Sequence, residues 1–337
     1  MGFVPLIDVS RGGFAECQHW GAVAVSNREG KVLARVGDPY TVTFTRSTIK
    51  AFQALPFMQA GGAAALGWGQ GELALLCASH NGEPMHVQQA ERMLATVGQD
   101  YHALQCGCHR PLFAELGLGT MSAGFVPDER HNNCSGKHAG FVAHCVQQGL
   151  PLEGHLDPAH PLQVAIRDHV AQAVGLAPDQ MPMGIDGCSA PNYAMPLAHL
   201  ARGYARLAGG APDTALHHSL TTLADAMVAR PELGSGTGRH DLDFMRAGQG
   251  DWVSKTGADG VQVVGSRSRG EAFALKVMDG SMVAQVAAAV EVMDQLGWLD
   301  AGQREALAPR RSARIVNAKG LQVGERRAVF KLEPASA

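Results

Sequence analysis

The chain has 337 residues, of which 46% are hydrophobic and 18% charged, with a formal net charge of −3 and a pI near 6.6. Such a chain buries a sizeable core without outside staples. It offers no basic stripe for nucleic acid and no long uncharged apolar run to cross a membrane. Met1-Gly2-Phe3-Val4-Pro5 shows no basic segment followed by an apolar one, so no secretory signal is expected. Seven cysteines, at 17, 77, 106, 108, 134, 145 and 188, are then expected as reduced thiols of a cytoplasmic protein, some buried and some open to a metal.

In chain order, Gly21–Ser26 and Lys31–Val36 flank the turn-like Asn27-Arg28-Glu29-Gly30 and predict a hairpin. Thr41–Thr45 is a further short β-prone run. Ser47 is placed to cap a helix that carries Ala51, Leu55 and Met58 inward, with Pro56 expected to kink or end it. Helix-like segments follow, among them 84–98, 161–175 and 213–230. Trp252–Gly257, Gly260–Val264 and Ala272–Val277 then predict a three-strand meander, and an amphipathic helix is expected from about 281 to 297.

Strands at both ends with a helical middle predict an α+β chain. One antiparallel sheet is expected from both termini, about 1–45 and 250–335, with a helical region inserted at about 46–249. The whole, 1–337, is expected to act as a single catalytic unit.

Ser47-Thr48-Ile49-Lys50 has the spacing of a nucleophile and its base. A serine hydroxyl needs a base within hydrogen-bond reach, and positions three apart at a helix start share a face. A desolvated lysine releases its proton more readily and then accepts one from serine. The tetrad read alone is better taken as an ordinary cap beside a solvated lysine, because S-x-x-K is common by chance. Ser79-His80-Asn81 in a loop and Lys255-Thr256-Gly257 on a strand alter that balance. S-x-x-K, then S-x-N, then K-T-G resembles the set shared by serine β-lactamases and penicillin-binding proteins. The expected sheet with inserted helices resembles that fold and the serine-dependent glutaminases.

The blocks His131–Gly140 and Gly184–Pro191 carry Cys134 and Cys188 on separate loops beside histidines and an aspartate. Thiolates so placed could hold zinc, although neither block has the C-x-x-C of a structural zinc module, and buried thiols are an equal reading. Cys106-Gly107-Cys108 is too tight for an unstrained disulfide, so packed thiols are expected there.

Together, Thr45–Lys50, Ala78–Glu83, His131–Gly140, Gly184–Cys188 and Ser254–Gly257 resemble the rhizobial-type, thermolabile third class of L-asparaginases over nearly the full chain. The resemblance implies two serine–lysine pairs, Ser47 with Lys50 and Ser79 with Lys255. It implies zinc held by Cys134, Lys137 and Cys188 with Asp186 close by, the metal site assisting substrate binding. It also implies hydrolysis of L-asparagine to L-aspartate and ammonia by a homodimer. Glutaminase and β-lactamase-like hydrolase are the alternative enzymes. A zinc-stabilised binding protein is the non-enzymatic reading, and it requires both serine–lysine pairs to be accidental.

Overall fold

Runs of β-branched and small apolar residues near both termini pair into one antiparallel sheet in the computed structural model, which describes Gly2–Ala335. Met1, where the N-terminal reading begins, and Ser336 and Ala337, at the end of the expected unit, lie outside the described residues. The chain divides into two units. The sheet unit runs to Thr48, takes in Met195–Gly209, and resumes from Ala247; the helical unit is Ile49–Ala194 and Gly210–Arg246.

In the sheet unit the main strand order is Ala313–Val316, Gln322–Ala328, Val4–Arg11, Phe14–Asn27, Glu271–Val277, Val261–Ser266, Trp252–Gly257. The long strand Phe14–Asn27 changes role halfway. Its exposed first half pairs with Val4–Arg11, and its buried second half lies between Val32–Val36 and Glu271–Val277. The sequence shows the switch: Glu16, Gln18 and His19 give way to Gly21-Ala22-Val23-Ala24-Val25. Trp252–Gly257 and Val261–Ser266 are buried at every position, as strands covered on both faces must be. A Cβ on Gly265 would meet the Tyr204 carbonyl oxygen at 2.8 Å and Ala208 Cβ at 3.0 Å, so helix Leu197–Gly209 covers that face. Gln262 is an odd number of residues away and points oppositely. There its Oε1 accepts from Gln285 Nε2 at 2.9 Å, on helix Met282–Gln295.

The α+β architecture, the hairpin, the meander and the helices at Pro84–Ala95, Pro161–Val174, Thr214–Ala229 and Met282–Gln295 are as expected. Three local expectations need correction. Ser47 does not cap a helix: it lies inside a 3-10 turn, Arg46–Ile49, and the α-helix that follows, Lys50–Gln53, has Ile49 at its N-cap. The chain breaks at Ala54, so that Pro56 falls in the first turn of a second helix, Leu55–Gln59, where its missing N–H costs nothing. Ala51 and Leu55 are buried, whereas Met58 is only half-buried. Within the expected helical region, Leu197–Gly209 packs with the sheet unit, and Met183–Ile185 with Pro191–Pro196 form a β-hairpin. Strand Val4–Arg11 falls within the sheet expected at about 1–45, although its own bounds were not predicted.

The helical unit is organised by a close approach. Gly136 and Gly140, one turn apart on helix Ser135–Gln148, face helix Gln70–Leu76. A Cβ at Gly136 would stand 2.3 Å from the Leu75 carbonyl oxygen, and one at Gly140 would stand 2.3 Å from Leu76 Cδ2. Only glycine permits that backbone contact. Gly136→Ala should therefore destabilise the protein by about 1–3 kcal/mol, because overpacking outweighs alanine's helix preference. Gly302→Ala, whose Cβ would meet nothing nearer than 3.5 Å, serves as control and should be neutral or slightly stabilising in chemical denaturation.

Buried histidines in the same unit make stability acid-sensitive. Burial lowers His80, His138 and His155 below the ordinary 6.5, His138 to about 4. The unfolded chain binds these protons first, so their contribution is intact above pH 6.5 and is lost as pH falls from there toward 4. The thermal midpoint should fall between pH 7 and 5; a flat profile would refute this.

Candidate active site

The helical unit places Lys50 and Ser79 together across 29 residues of sequence. Lys50 is 1% exposed, yet its amine is fully partnered. It donates to Ser79 Oγ at 2.9 Å, to the Asn133 carbonyl at 3.3 Å and to the Ala78 carbonyl. Spacing set Lys50 against Ser47, and the family resemblance set Ser79 against Lys255; the Lys50–Ser79 contact joins one member of each expected pair. Ser79 follows helix Gln70–Leu76, and Asn133 precedes helix Ser135–Gln148. The glycine-permitted approach of those two helices therefore brings both sets of acceptors onto one amine. The Ser79 N–H is fixed by the Gly234 carbonyl at 3.1 Å, and the His80 N–H by the Asn133 carbonyl at 3.2 Å.

The Asn-Asn-Cys-Ser block earns its density of polar residues, since nearly every side chain ties down backbone. Asn132 Nδ2 donates to the carbonyls of Cys106 and Gly107, both at 3.0 Å, while its Oδ1 accepts from the Cys134 N–H at 2.9 Å. His80 Nδ1 accepts the Gly82 N–H at 3.1 Å, so its Nε2 carries the proton and donates to Ser135 Oγ at 2.9 Å. Ser135 in turn donates to the Arg130 carbonyl at 2.9 Å. These contacts hold a buried loop without a regular ladder, as its amides and carbonyls require.

Beside this scaffold lies a sulfur–amine cluster. Lys137 Nζ stands 3.0 Å from Cys188 Sγ, and Cys134 Sγ stands 3.0 Å from Asn133 Oδ1 and in hydrogen-bond contact with Cys188. Cys188 is delivered by the turn of the hairpin Met183–Ile185/Pro191–Pro196. That turn is closed by the Asp186 N–H on the Ala190 carbonyl and by Asp186 Oδ1 on the Gly187 N–H at 2.8 Å. Ser189 sits in the left-handed region at φ +66°, a conformation that the turn imposes.

The charges of the cluster are interdependent. The hydrogen bond from Cys134, against the effect of burial and helped by the Lys137 charge, draws Cys188 far below an ordinary thiol. The same bond, and burial, push Cys134 up. Burial opposes the Lys137 charge, but Cys188 and Cys134 outweigh it and hold the ammonium above the usual lysine range. The three groups thus bias one another's charge, Cys188 toward thiolate, Cys134 toward thiol and Lys137 toward ammonium. His138 is near enough to favour the thiolate, yet neither of its buried ring nitrogens reaches hydrogen-bonding geometry with a described residue.

Among the described residues no group of three or more His, Cys, Asp or Glu side chains is placed to hold a metal. The two sulfurs reach three donors only when Lys137 is counted. That set, two soft sulfurs and an amine, suits a thiophilic divalent cation once the lysine gives up its proton. None of the seven cysteines is joined in a disulfide. Cys106 is packed as expected, whereas Cys108 is exposed, because the turn at Gly107 sends the two side chains to different surroundings.

In the sheet unit, Ser47 is half-buried and follows Arg46, which is held at φ +51° and ion-paired with Asp259. Gly257, the last residue of the Lys-Thr-Gly run, lies against this turn: a Cβ there would meet the Thr45 carbonyl at 2.9 Å and Thr48 Cγ2 at 3.2 Å. The glycine is therefore needed for the strand end to approach the Ser47 turn. Lys255 is 2% exposed, opposite Val263 in the ladder, and its amine donates to the Thr256 carbonyl at 3.0 Å. Sequence reading did not foresee Asn133 as a partner of Lys50 or the polar scaffold around Asn132. The glycines at 136 and 140 were the available signal.

A cavity of about 250 Å³ adjoins the Ser79 loop, lined by Gly82, Pro84, Val87, Gln88, Phe113, Phe125 and His131. It is too apolar to be the seat of a small zwitterion. Among the described residues no helix is long and apolar enough to cross a membrane.

A crystal structure of a beta-lactamase from Mycobacterium bovis is similar at 15% identity and a TM-score of 0.40, over 82% of this chain and 94% of that one. No curated protein matches the chain. The family model described as L-asparaginase II matches residues 7–328. With that span covering nearly the whole chain and every candidate site residue, the chain belongs to the L-asparaginase II family of amidohydrolases.

Proposed function

We propose that the protein hydrolyses L-asparagine to L-aspartate and ammonia through a serine-bound acyl intermediate. The observation that carries this reading is the buried Lys50 amine bonded to Ser79 Oγ at 2.9 Å. A lysine so enclosed is a proton-handling group and not a solubilising one. Ser47 is the acyl acceptor, since that residue is half-buried and so more open to substrate than Ser79, which is 4% exposed. Its proton passes to Lys50, the base three residues on, as the hydroxyl attacks the side-chain amide. The Lys50–Ser79 pair returns a proton to the leaving ammonia, and water then releases aspartate. Lys255 supports this traffic from the Lys-Thr-Gly strand. Ser–Lys chemistry is supported by the family membership together with these contacts.

Ser47→Ala should lower kcat for ammonia release from asparagine by about three orders of magnitude or more. Lys50→Arg, which keeps the charge but cannot act as a base, should be comparably inactive. A Ser47→Ala protein retaining more than a tenth of normal kcat would move the acyl group to Ser79, and mass mapping of the trapped acyl peptide decides between the two serines. Ammonia from glutamine at equal efficiency would favour the glutaminase alternative, whose substrate differs by one methylene and is worth only about 1–3 kcal/mol of discrimination. Hydrolysis of a chromogenic cephalosporin without ammonia release would favour the β-lactamase-like one.

We further propose zinc as the cation of the cluster, held by Cys134, Lys137 and Cys188. When bound, the ion supplies a positive charge that helps to seat the substrate's α-carboxylate, while Asp186 takes its α-ammonium. Cys134→Ala should then raise KM while leaving kcat within a few-fold, the signature of lost binding and not lost chemistry. Protein prepared without chelator should carry close to stoichiometric zinc by elemental analysis, and its near absence would remove the metal from this scheme. The sequence resemblance is what supports a cytoplasmic homodimer, which sedimentation tests.

A further inference from the structure

Asn81, the last residue of the Ser-His-Asn run, and the buried Arg239 have no part in the scheme above. Two hydrogen bonds tie the Ser79 loop to the segment that joins helices Pro231–Gly234 and His240–Ala247. The Ser79 N–H donates to the Gly234 carbonyl at 3.1 Å, and Asn81 Nδ2 donates to the Thr237 carbonyl at 3.0 Å. The Asn81 amide is oriented from both sides. Arg239 Nη1 donates to its Oδ1 at 3.3 Å. Glu83 Oε2 accepts from its Nδ2 at 3.4 Å and also from the Thr237 N–H at 3.0 Å. A cation at the amide oxygen and an anion at the amide nitrogen fix which way the group faces.

The amide has only one seat. Gly236 is held at φ +120°, and a Cβ there would stand 2.5 Å from Asn81 Nδ2, so the amide rests directly on backbone. Arg239 is 6% exposed, and among the described residues its Nε meets no acceptor. Burying a guanidinium with so few acceptors is costly, and packing alone gives no reason for it. We infer that Arg239, acting through the Asn81 amide, positions Ser79 for proton transfer with Lys50. Both amide hydrogens of Asn81 are engaged by framework, so neither is available to a substrate. Ser79 stands two residues before Asn81, and its 2.9 Å bond to Lys50 depends on where these ties hold the loop. Arg239 and Asn81 are thus positioning residues, removed from the reacting atoms.

This role rests on Ser79 and Lys50 handling the proton, and Ser79→Ala tests that reading separately. Ammonia release from asparagine is measured for full-length Arg239→Gln, Asn81→Ala, Ser79→Ala and their double variants, with thermal midpoints on the same samples. Arg239→Gln and Asn81→Ala should each lower kcat about ten- to a hundredfold and leave KM within about threefold. Arg239→Lys, which keeps the charge and a donor, should recover part of the loss. Arg239→Gln combined with Asn81→Ala should be no slower than the worse single variant, because the effect runs through one amide. Added to Ser79→Ala, Arg239→Gln should lower kcat no further. A lowered midpoint with normal kcat per folded molecule would make Arg239 merely structural and overturn its positioning role. An unchanged kcat with KM raised about tenfold or more would overturn it as well, making the guanidinium a contact of the substrate carboxylate. Normal kcat in Ser79→Ala removes Ser79 from the chemistry and the positioning role with it. Impaired Ser79→Ala beside unimpaired Arg239→Gln removes the positioning role alone. Should Arg239→Gln fail to fold, Asn81→Asp keeps the volume and the acceptor for Arg239 but loses the bond to the Thr237 carbonyl. It should show the same fall in kcat, and a normal kcat there decides against the role.

Discussion

Two glycines, 136 and 140, let one helix lie directly on the backbone of another, and the chemistry of the helical unit depends on that contact. Helix Gln70–Leu76 ends just before Ser79, and helix Ser135–Gln148 begins just after Asn133 and Cys134. Pressed together at Leu75 and Leu76, the two helices bring the carbonyls of Ala78 and Asn133 and the hydroxyl of Ser79 around the Lys50 amine. Removing an amine from water is costly unless its hydrogens find acceptors, and here three acceptors are supplied by two loops. The same approach sets the start of the second helix, and hence Lys137, beside the hairpin turn that carries Cys188.

The sulfur cluster and the serine–lysine pair are built on one principle, that buried charge is tolerated when its neighbours are fixed. Lys137 and Cys188 each stabilise the other's ionised form, and Cys134 holds the proton that a second thiolate would lack. Asn132 locks the loop on which Cys134 stands, and Asp186 locks the turn on which Cys188 stands. The polar residues of these blocks are thus mainly framework.

The sheet unit solves a different problem, that of presenting a short strand end to a serine. Trp252–Gly257 is buried throughout, with Gln285 bridging Thr256, Val261 and Gln262 from the helix beneath. Gly257 omits the side chain that would strike Thr45 and Thr48. Arg46 adopts an unusual left-handed conformation held by Asp259. Such backbone strain persists only where surrounding structure stabilises it, as the Asp259 ion pair does at Arg46.

Much of this was legible in the residues. The alternation and β-branched content of 21–36 and 252–277 specified strands whose hydrophobic sets have one workable register, and the periodicity of 84–98, 161–175 and 213–230 specified helices. Ser47, Lys50, Ser79 and Lys255 stood out because serine and lysine at those spacings have a known use. Tertiary structure alone brought Lys50 to Ser79. Spacing of three suggested Lys50 with Ser47, but a 3-10 turn followed by a broken helix replaced the single helix on which that argument stood. Hydrogen-bond geometry across the glycine contact then gave Lys50 to Ser79. Local periodicity fixes which face a side chain occupies, whereas partners at 29 or 51 residues' separation are set by how helices and hairpins pack.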